Sequence, residues 1–581
     1  MAANDDPKTF GGTRLSFAEE RDVDQFVDVL EKFERGEIEP DAWRAFRLVN
    51  GVYGQRQAEW SMIRCKIPQG IATAPQLHAL ADVAELWGDG KAHVTTRQNL
   101  QFHFVKLADV EGAMRHLGEA GLTTREACGN AVRNVTGCPF AGVAATEPFD
   151  VTPYAEAVTR HLLRGRWSSA LPRKFKIAFG GCCGTDCVAT AINDLGFLAR
   201  IEGGRRGFRL TVGGGLATMC RSGIVAHDLL PAGEILEAAE AVVRVFDRVG
   251  NRADRNRARL KFAIATLGAQ AFLELYHAER DAIRREGGRA LAVADSVPER
   301  VAPAPPPVRL PPGAGYEEFA RDNVRPQKQE GFSTVLVRLP LGDVTVSELR
   351  AIARLADRYG EGEVRTTHDQ NVLLRFVPAW RVPEVHRELH LAGLARPGAR
   401  TIVDVTSCPG AATCKLAVTA SRGLASLIAT HLEGRPDLVA IARDLDIKAS
   451  GCPNACGQHH IAGIGFQGAV RKIGGRAVPH YHVFVGGGVG PDGASFGRLV
   501  GKVPARRTPM VLERLLDLYA AERTYGEAPD RFFRRVAIER LKGLVRDLVG
   551  IEESDAAPED YVDLGEKEAF AVEVMAGECA T

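Results

Sequence analysis

Long apolar runs are missing from this 581-residue chain: none approaches the ~20 residues that a membrane span requires. The opening stretch, MAANDDPKTFGG, has neither the basic region nor the apolar core of a secretory leader, so a cytoplasmic location is expected. A charge surplus is missing too. The 74 Lys and Arg residues against 73 Asp and Glu leave +1, which excludes a nucleic-acid binder working by bulk positive charge. No G-x-G-x-x-G follows a strand-like run and opens a helix, so no nicotinamide or flavin fingerprint is present. The Gly-rich run at 486–493 lacks that spacing and reads as a turn. Cysteine is scarce as well: twelve are too few to staple a chain of this length, and what they do instead is cluster. Hydrophobic residues at 45% and charged residues at 25% describe an ordinary globular protein with several cores.

What is present is a duplication. A proline-rich connector at 298–316 splits the chain into similar halves. Residues 62–105 and 334–377 share one pattern: a short β-type run, a Gly turn, and a Thr opening an amphipathic helix. Leu77, Leu80, Val83 and Ala84 form the apolar stripe of the first, and Leu349, Ile352, Leu355 and Ala356 that of the second. Each copy then shows Thr-Thr and a second strand, Leu100 to Val105 and Val372 to Val377. A second repeat follows, with TGCPFAG and GCCGTDC in the first half against TSCPGAATC and GCPNACG in the second. Cys138 aligns with Cys408, Cys183 with Cys452 and Cys187 with Cys456, but the partner of Cys414 is Ala144. One copy has kept four cysteines. Helices are expected over 231–249 and 510–523, and the acidic end reads as a mobile or loosely docked tail.

The four cysteines of the second half, Cys408, Cys414, Cys452 and Cys456, are spaced C-x5-C and C-x3-C among Gly and Pro. Four thiolates suit an iron–sulfur cube, in which each iron takes one external ligand. Zinc would also use four thiolates, though usually on C-x2-C knuckles, and buried structural cysteines remain a third reading. The first-half set, Cys138, Cys182, Cys183 and Cys187, offers a second site whose spacing is broken at Ala144. Cys65, Cys128, Cys220 and Cys579 read as packing residues or idle thiols.

Cations stand in apolar surroundings: Arg64 in MIRCK, Arg133 in GNAVRNVTG, and Lys174 and Lys176 in LPRKFK. Lys174 and Lys176 share a strand face, which is costly unless an anion sits opposite; snorkelling surface cations are the plain alternative. Arg97, Gln101 and His103 form a stripe of one parity in TTRQNLQFHFV.

Together, C-x5-C with C-x3-C, the duplicated TTRQN segment, NxxRN and LPRKFK resemble the sulfite and nitrite reductases that carry sirohaem and a [4Fe–4S] cluster, over about residues 45–550. The resemblance implies that Cys408, Cys414, Cys452 and Cys456 hold the cluster and that Cys456 also bridges to the sirohaem iron. It implies that Arg64, Arg133, Lys174 and Lys176 bind the anionic substrate. Arg97, Gln101, His103, Arg173 and Asn454 would contact the carboxylate-rich macrocycle. In that family Lys-x-Lys accompanies sulfite and Asn at the second place accompanies nitrite, so Lys176 favours sulfite reduced to sulfide, with nitrite reduced to ammonia as the alternative. Electrons would come from ferredoxin or a separate flavoprotein, and no nucleic acid or membrane partner is expected. One departure is Gly463, where the family commonly has an acidic residue and where the first-half copy has Asp194. A relative of the cobalamin-pathway oxygenases and a simple cluster-bearing electron carrier are the competing classes; neither needs LPRKFK.

The expected fold is α/β (α+β) with pseudo-twofold symmetry and three domains. Residues 51–135 and 317–402 are two ferredoxin-like half-domains pairing into one. Residues 136–298 form the first sirohaem domain and 403–550 the second, cluster-bearing one. An N-terminal segment (1–50), the linker (299–316) and the tail (551–581) complete the chain.

Overall fold

A computed structural model of the chain describes residues 9–10, 14–182, 186–291, 293, 300–306, 311–572 and 575; Cys183 and Cys579 lie outside them. The described residues hold four five-stranded sheets, two for each half.

The first pair of sheets is built by exchange. One runs in the order Asp343–Thr345, Lys91–Val94, Leu100–Lys106, Trp60–Cys65, Val52–Gly54, and its edge strand belongs to the other half. The second runs Val324–Pro326, Phe332–Val337, Val372–Pro378, Glu363–Thr366, Ile71–Thr73, with an edge strand from the first half. Both borrowed strands pair antiparallel, Val344 opposite Ala92 and Ala72 opposite Val364. Each half thereby covers its neighbour's open edge, which an isolated copy would leave unpaired.

The helices expected after each Thr are Ala74–Leu86 and Val346–Tyr359. Both begin with a capping box, Thr73 with Gln76 and Thr345 with Glu348. Their apolar faces pack together and put Leu77, Leu80, Leu349 and Ile352 into a single core shared by both halves.

The other two sheets match strand for strand. In the first half Val132–Gly137, Phe175–Gly180 and Leu195–Glu202 are parallel, followed by antiparallel Arg205–Val212 and Ile224–Pro231. In the second half Thr406–Ser407, Ile447–Ser450 and Ile464–Ile473 are parallel, followed by antiparallel Arg476–Val485 and Arg498–Pro504. The cysteine segments leave from the carboxyl ends of the first two parallel strands in each sheet, where open α/β sheets place their ligands. The expected helices are Ile235–Val249, entered from the Ile224–Pro231 strand, and Thr508–Glu522.

Register also explains the departure at Gly463. Leu195 pairs with Ile177, and Ile464 with Ile447, so Asp194 and Gly463 correspond, as do Lys176 and Asp446. In the first half Asp194 accepts the Lys176 N–H at 2.9 Å; in the second, Asp446 accepts the Gly463 N–H at 2.7 Å. Carboxylate and amide have exchanged strands. A Cβ at Gly463 would lie 2.2 Å from Leu445 Cδ1, so a side chain there would displace Leu445.

The tail residues 561–564 are docked. Tyr561 is buried beneath Arg476, Asp563 accepts the Ala420 N–H at 2.7 Å, and the Leu564 backbone fills the space a Cβ on Gly423 would take. Its acidic composition suggested solvent, but these few apolar and hydrogen-bonding residues dock it. The connector lies against the second half, Trp380 Nε1 donating to Pro303 O and Arg387 to Pro311 O, each at 2.8 Å.

Candidate active site

A single cavity of about 1570 Å³, mouth included, opens where the four sheets meet. Cys408, Cys414, Cys452 and Cys456 all line it. So do Arg64, Arg97, Gln101, His103, Arg133, Lys174, Lys176 and Asn454, brought together from segments scattered over nearly 400 positions. Lys415, beside Cys414, adds a sixth cation that the sequence reading missed. No carboxylate is among the lining residues described. Six cations lining one cavity suit it to an anion.

Arg173 is not there. It lines a separate cavity with Asp41, Arg44 and Arg252, in the bend that precedes the Phe175–Gly180 strand. Arg97 reaches the cavity differently from the expected stripe. It sits in the turn before Leu100–Lys106, where Thr95 Oγ1 accepts from Arg97 N (3.3 Å) and Asn99 N (3.1 Å) and Gln98 has a φ of +61°. A side-chain-stabilised turn of this kind overrides strand parity.

Gln98 and its counterpart Gln370 (φ +65°) tie the halves together. Gln98 Nε2 donates to Thr366 O at 2.8 Å, and Gln370 Nε2 to Val94 O at 2.9 Å, each across to the other half. Their Oε1 atoms accept the N–H of Gly137 and of Ser407, both at 2.9 Å. Each glutamine thus holds the residue just before a Cys138 or Cys408 turn. The duplicated Gln-Asn was visible in the sequence; its reach was not.

The guanidinium of Arg97 donates to Asn193 Oδ1 (2.8 Å), Asn134 O (2.6 Å) and Ile177 O (3.2 Å), and its Nε is buried without a partner. Burial and then the Arg133 charge pull its pKa down to about 9. Burial, followed by Arg97, Arg259 and Lys174, likewise pushes the Lys176 ammonium well down. Burial keeps His103 and His368 neutral, each near 3, so the positive field belongs to Arg and Lys alone. Arg133 is anchored through Nε and Nη2 on Gly129 O (3.0 and 2.8 Å) and through Nη1 on Ala127 O (3.2 Å).

The sulfur quartet is held by backbone. Cys408 Sγ accepts from Gly451 N at 3.4 Å and meets Ser421 Oγ at 3.3 Å, while Thr96 donates to the Cys456 carbonyl at 2.9 Å. Cys408 and Cys452 are buried, Cys414 is half-buried and Cys456 is exposed. Burial and the neighbouring sulfurs push the Cys452 thiol up, a situation that cationic iron reverses. Among the described residues only Cys138, Cys182 and Cys187 converge within 4.8 Å, close enough to share one ion. The quartet is set wider, which suits a cube whose sulfurs each take a different iron and disfavours a single zinc. The donor set therefore fits the cluster, and the cation-rich cavity beside it fits an anionic macrocycle.

Two family models match, each twice: the nitrite and sulphite reductase 4Fe-4S domain over residues 128–283 and 398–553, and the nitrite/sulfite reductase ferredoxin-like half domain over 53–120 and 325–392. The chain belongs to the nitrite and sulphite reductase family. The cofactors of this reductase are sirohaem and a [4Fe–4S] cluster. It is 34% identical over 463 residues to the ferredoxin–nitrite reductase of Synechococcus elongatus, covering 78% of this chain and 85% of the relative. It is 30% identical over 547 residues to the assimilatory ferredoxin-dependent nitrite reductase of Haloferax mediterranei, covering 87% and 88%. The solved structure of the Mycobacterium tuberculosis NirA protein superposes with a TM-score of 0.74 at 28% identity, covering 90% of this chain and 97% of that one. Among the described residues no helix is long and apolar enough to cross a membrane.

Proposed function

We propose that the reductase converts nitrite to ammonia with electrons from ferredoxin. The observation that carries this reading is the cavity that joins four cysteines to six cations and no described carboxylate, in a chain whose relatives are ferredoxin–nitrite reductases. Sirohaem and the cluster, when bound, would relay six electrons from ferredoxin, one at a time, to an iron centre. Cys408, Cys414, Cys452 and Cys456 would hold the cluster, and Cys456 is the exposed residue of the four. Arg97, Gln101, His103 and Asn454 receive the macrocycle, Arg97 by a fork matched to carboxylate. Arg64, Arg133, Lys174 and Lys176 draw in the small anion and hold its oxygens as they gain charge. With an anion alongside, the Lys176 ammonium is held charged and can give up a proton to a departing oxygen. The domain boundaries set out from the sequence belong to the same proposal.

Sulfite is the second reading, favoured by one observation: both lysines of Lys-x-Lys face the cavity. The relatives weigh toward nitrite instead. The test compares kcat/KM for nitrite and sulfite in the holoenzyme with reduced ferredoxin as donor. Nitrite is expected to lead by tenfold or more, and Lys176→Asn to lower sulfite turnover more than nitrite turnover. A sulfite lead reverses the assignment, and no turnover of either anion ends it.

A further inference from the structure

The first half carries a sulfur site of its own. Cys138 Sγ lies 3.2 Å from Cys187 Sγ and 3.5 Å from Cys182 Sγ, and all three fall within 4.8 Å of one another. Cys138 leaves the end of Val132–Gly137 and Cys182 follows Phe175–Gly180, the strands corresponding to those that present Cys408 and Cys452. The trio is thus the pseudo-twofold mate of the cluster ligands. It does not line the cation-rich cavity.

Spacing decides what it takes. Zinc–sulfur bonds of about 2.3 Å at tetrahedral angles put sulfurs roughly 3.8 Å apart, close to what the trio shows. Ala144 stands where a fourth cube ligand would be, and the three sulfurs are too near one another for separate irons. Charge agrees: Arg400 interacts electrostatically with all three sulfurs, so three thiolates, one divalent ion and one guanidinium sum to zero. Arg400 is itself placed by Asp369 at 3.5 Å, and its backbone N–H donates to Asp404 at 2.8 Å. The Cys138 N–H donates to Phe179 O at 3.0 Å, which ties the Cys138 turn to the end of Phe175–Gly180.

We propose that Cys138, Cys182 and Cys187 bind one zinc ion, a metal site separate from the sirohaem and cluster. Among the described residues three sulfurs converge, which accounts for three of the four tetrahedral positions. The site ties the end of Val132–Gly137 to the end of Phe175–Gly180, the strand that carries Lys176, and its loss is expected to weaken that tie without emptying the cluster.

Elemental analysis of the holoenzyme tests this. About one zinc per chain is expected beside the four cluster irons and one haem iron. Cys182→Ser and Cys187→Ser, both at half-buried positions, are expected to lower zinc at least tenfold with iron unchanged. Should either variant fail to fold, the wild-type protein serves alone. Zinc ion added after mild chelation should return to about one per chain, and prior alkylation of the three thiols, mapped by mass spectrometry, should block it. Zinc below about 0.2 per chain after that addition overturns the proposal. So does zinc retained in folded variants, iron above five per chain, or a disulfide within the trio in reduced preparations. None of these readouts depends on which oxyanion is reduced.

Discussion

Replacing Arg97 by Met separates the cost of the cation from its use. In the protein without cofactor its guanidinium meets three neutral acceptors and no described ion-pair partner. The fall from 12.5 to about 9 corresponds to roughly 5 kcal/mol against the charge, an upper limit. Because the side chain is only half-buried, solvent screening reduces this to about 2–3 kcal/mol. Losing the three hydrogen bonds costs a similar amount, about 2–3 kcal/mol. The two effects oppose each other, so Arg97→Met should change the unfolding free energy of the cofactor-free protein, read from its urea curve, by no more than about 1 kcal/mol. With sirohaem bound, the desolvation cost is offset by its carboxylates, and removing the guanidinium loses about 3 kcal/mol or more of binding, two orders of magnitude in affinity. The assay is urea unfolding of both forms, with haem retained after dialysis read from its absorption. Arg97→Lys should restore the charge but only part of the retention, lacking the fork. Equal destabilisation of both forms, or full haem retention by Arg97→Met, would refute the reasoning.

Gln370→Leu removes the donor to Val94 O and the acceptor of Ser407 N–H, so a loss of about 2–4 kcal/mol and faster iron release on chelation are expected. Gln98→Leu should match it in stability but leave iron release nearly unchanged, since the Gly137 side holds no cluster. Gly451→Ala places a Cβ 2.5 Å from Thr419 O, between the two cysteine turns, and should yield folded protein with substoichiometric cluster iron, measured as acid-labile sulfide. Asp343 gives the pH test. Burial raises its carboxyl, but the His93 hydrogen bond and the Arg422 charge outweigh this and hold it at about 2, below the ordinary 3.8. That depression contributes about 2 kcal/mol, fully present above pH 4 and lost as pH falls toward 2. Asp343→Asn should flatten the acid limb of the urea midpoint, and an unchanged limb would exclude this carboxylate as its source.

Much of this was readable from residue order. The duplication, both Thr-capped helices and the cysteine quartet follow from spacing, which local chemistry enforces within a few residues. The strand exchange was not readable, because Ile71–Thr73 and Asp343–Thr345 are three residues each and their partners lie some 250–290 positions away. Arg97 was placed by parity on a strand it does not occupy, and Arg173 was brought in by motif although the bend before Phe175–Gly180 carries it to another cavity. Lys415 went unnoticed since a lysine beside a cysteine has no periodicity. The tail's docking rests on Tyr561, Asp563 and Leu564, too few to outweigh its acidic composition.

The borrowed edge strands have a consequence for biosynthesis. Neither half presents a finished sheet until the other has emerged, because Ile71–Thr73 must reach Glu363–Thr366 and Asp343–Thr345 must reach Lys91–Val94. The pocket likewise draws on positions from Tyr53 to Gln458. On a ribosome, tetrapyrrole and iron have no receptive shape to enter while the leading segment is exposed alone. Loading therefore waits for near-complete translation, and split genes encoding the two halves should deliver holoprotein only when expressed together.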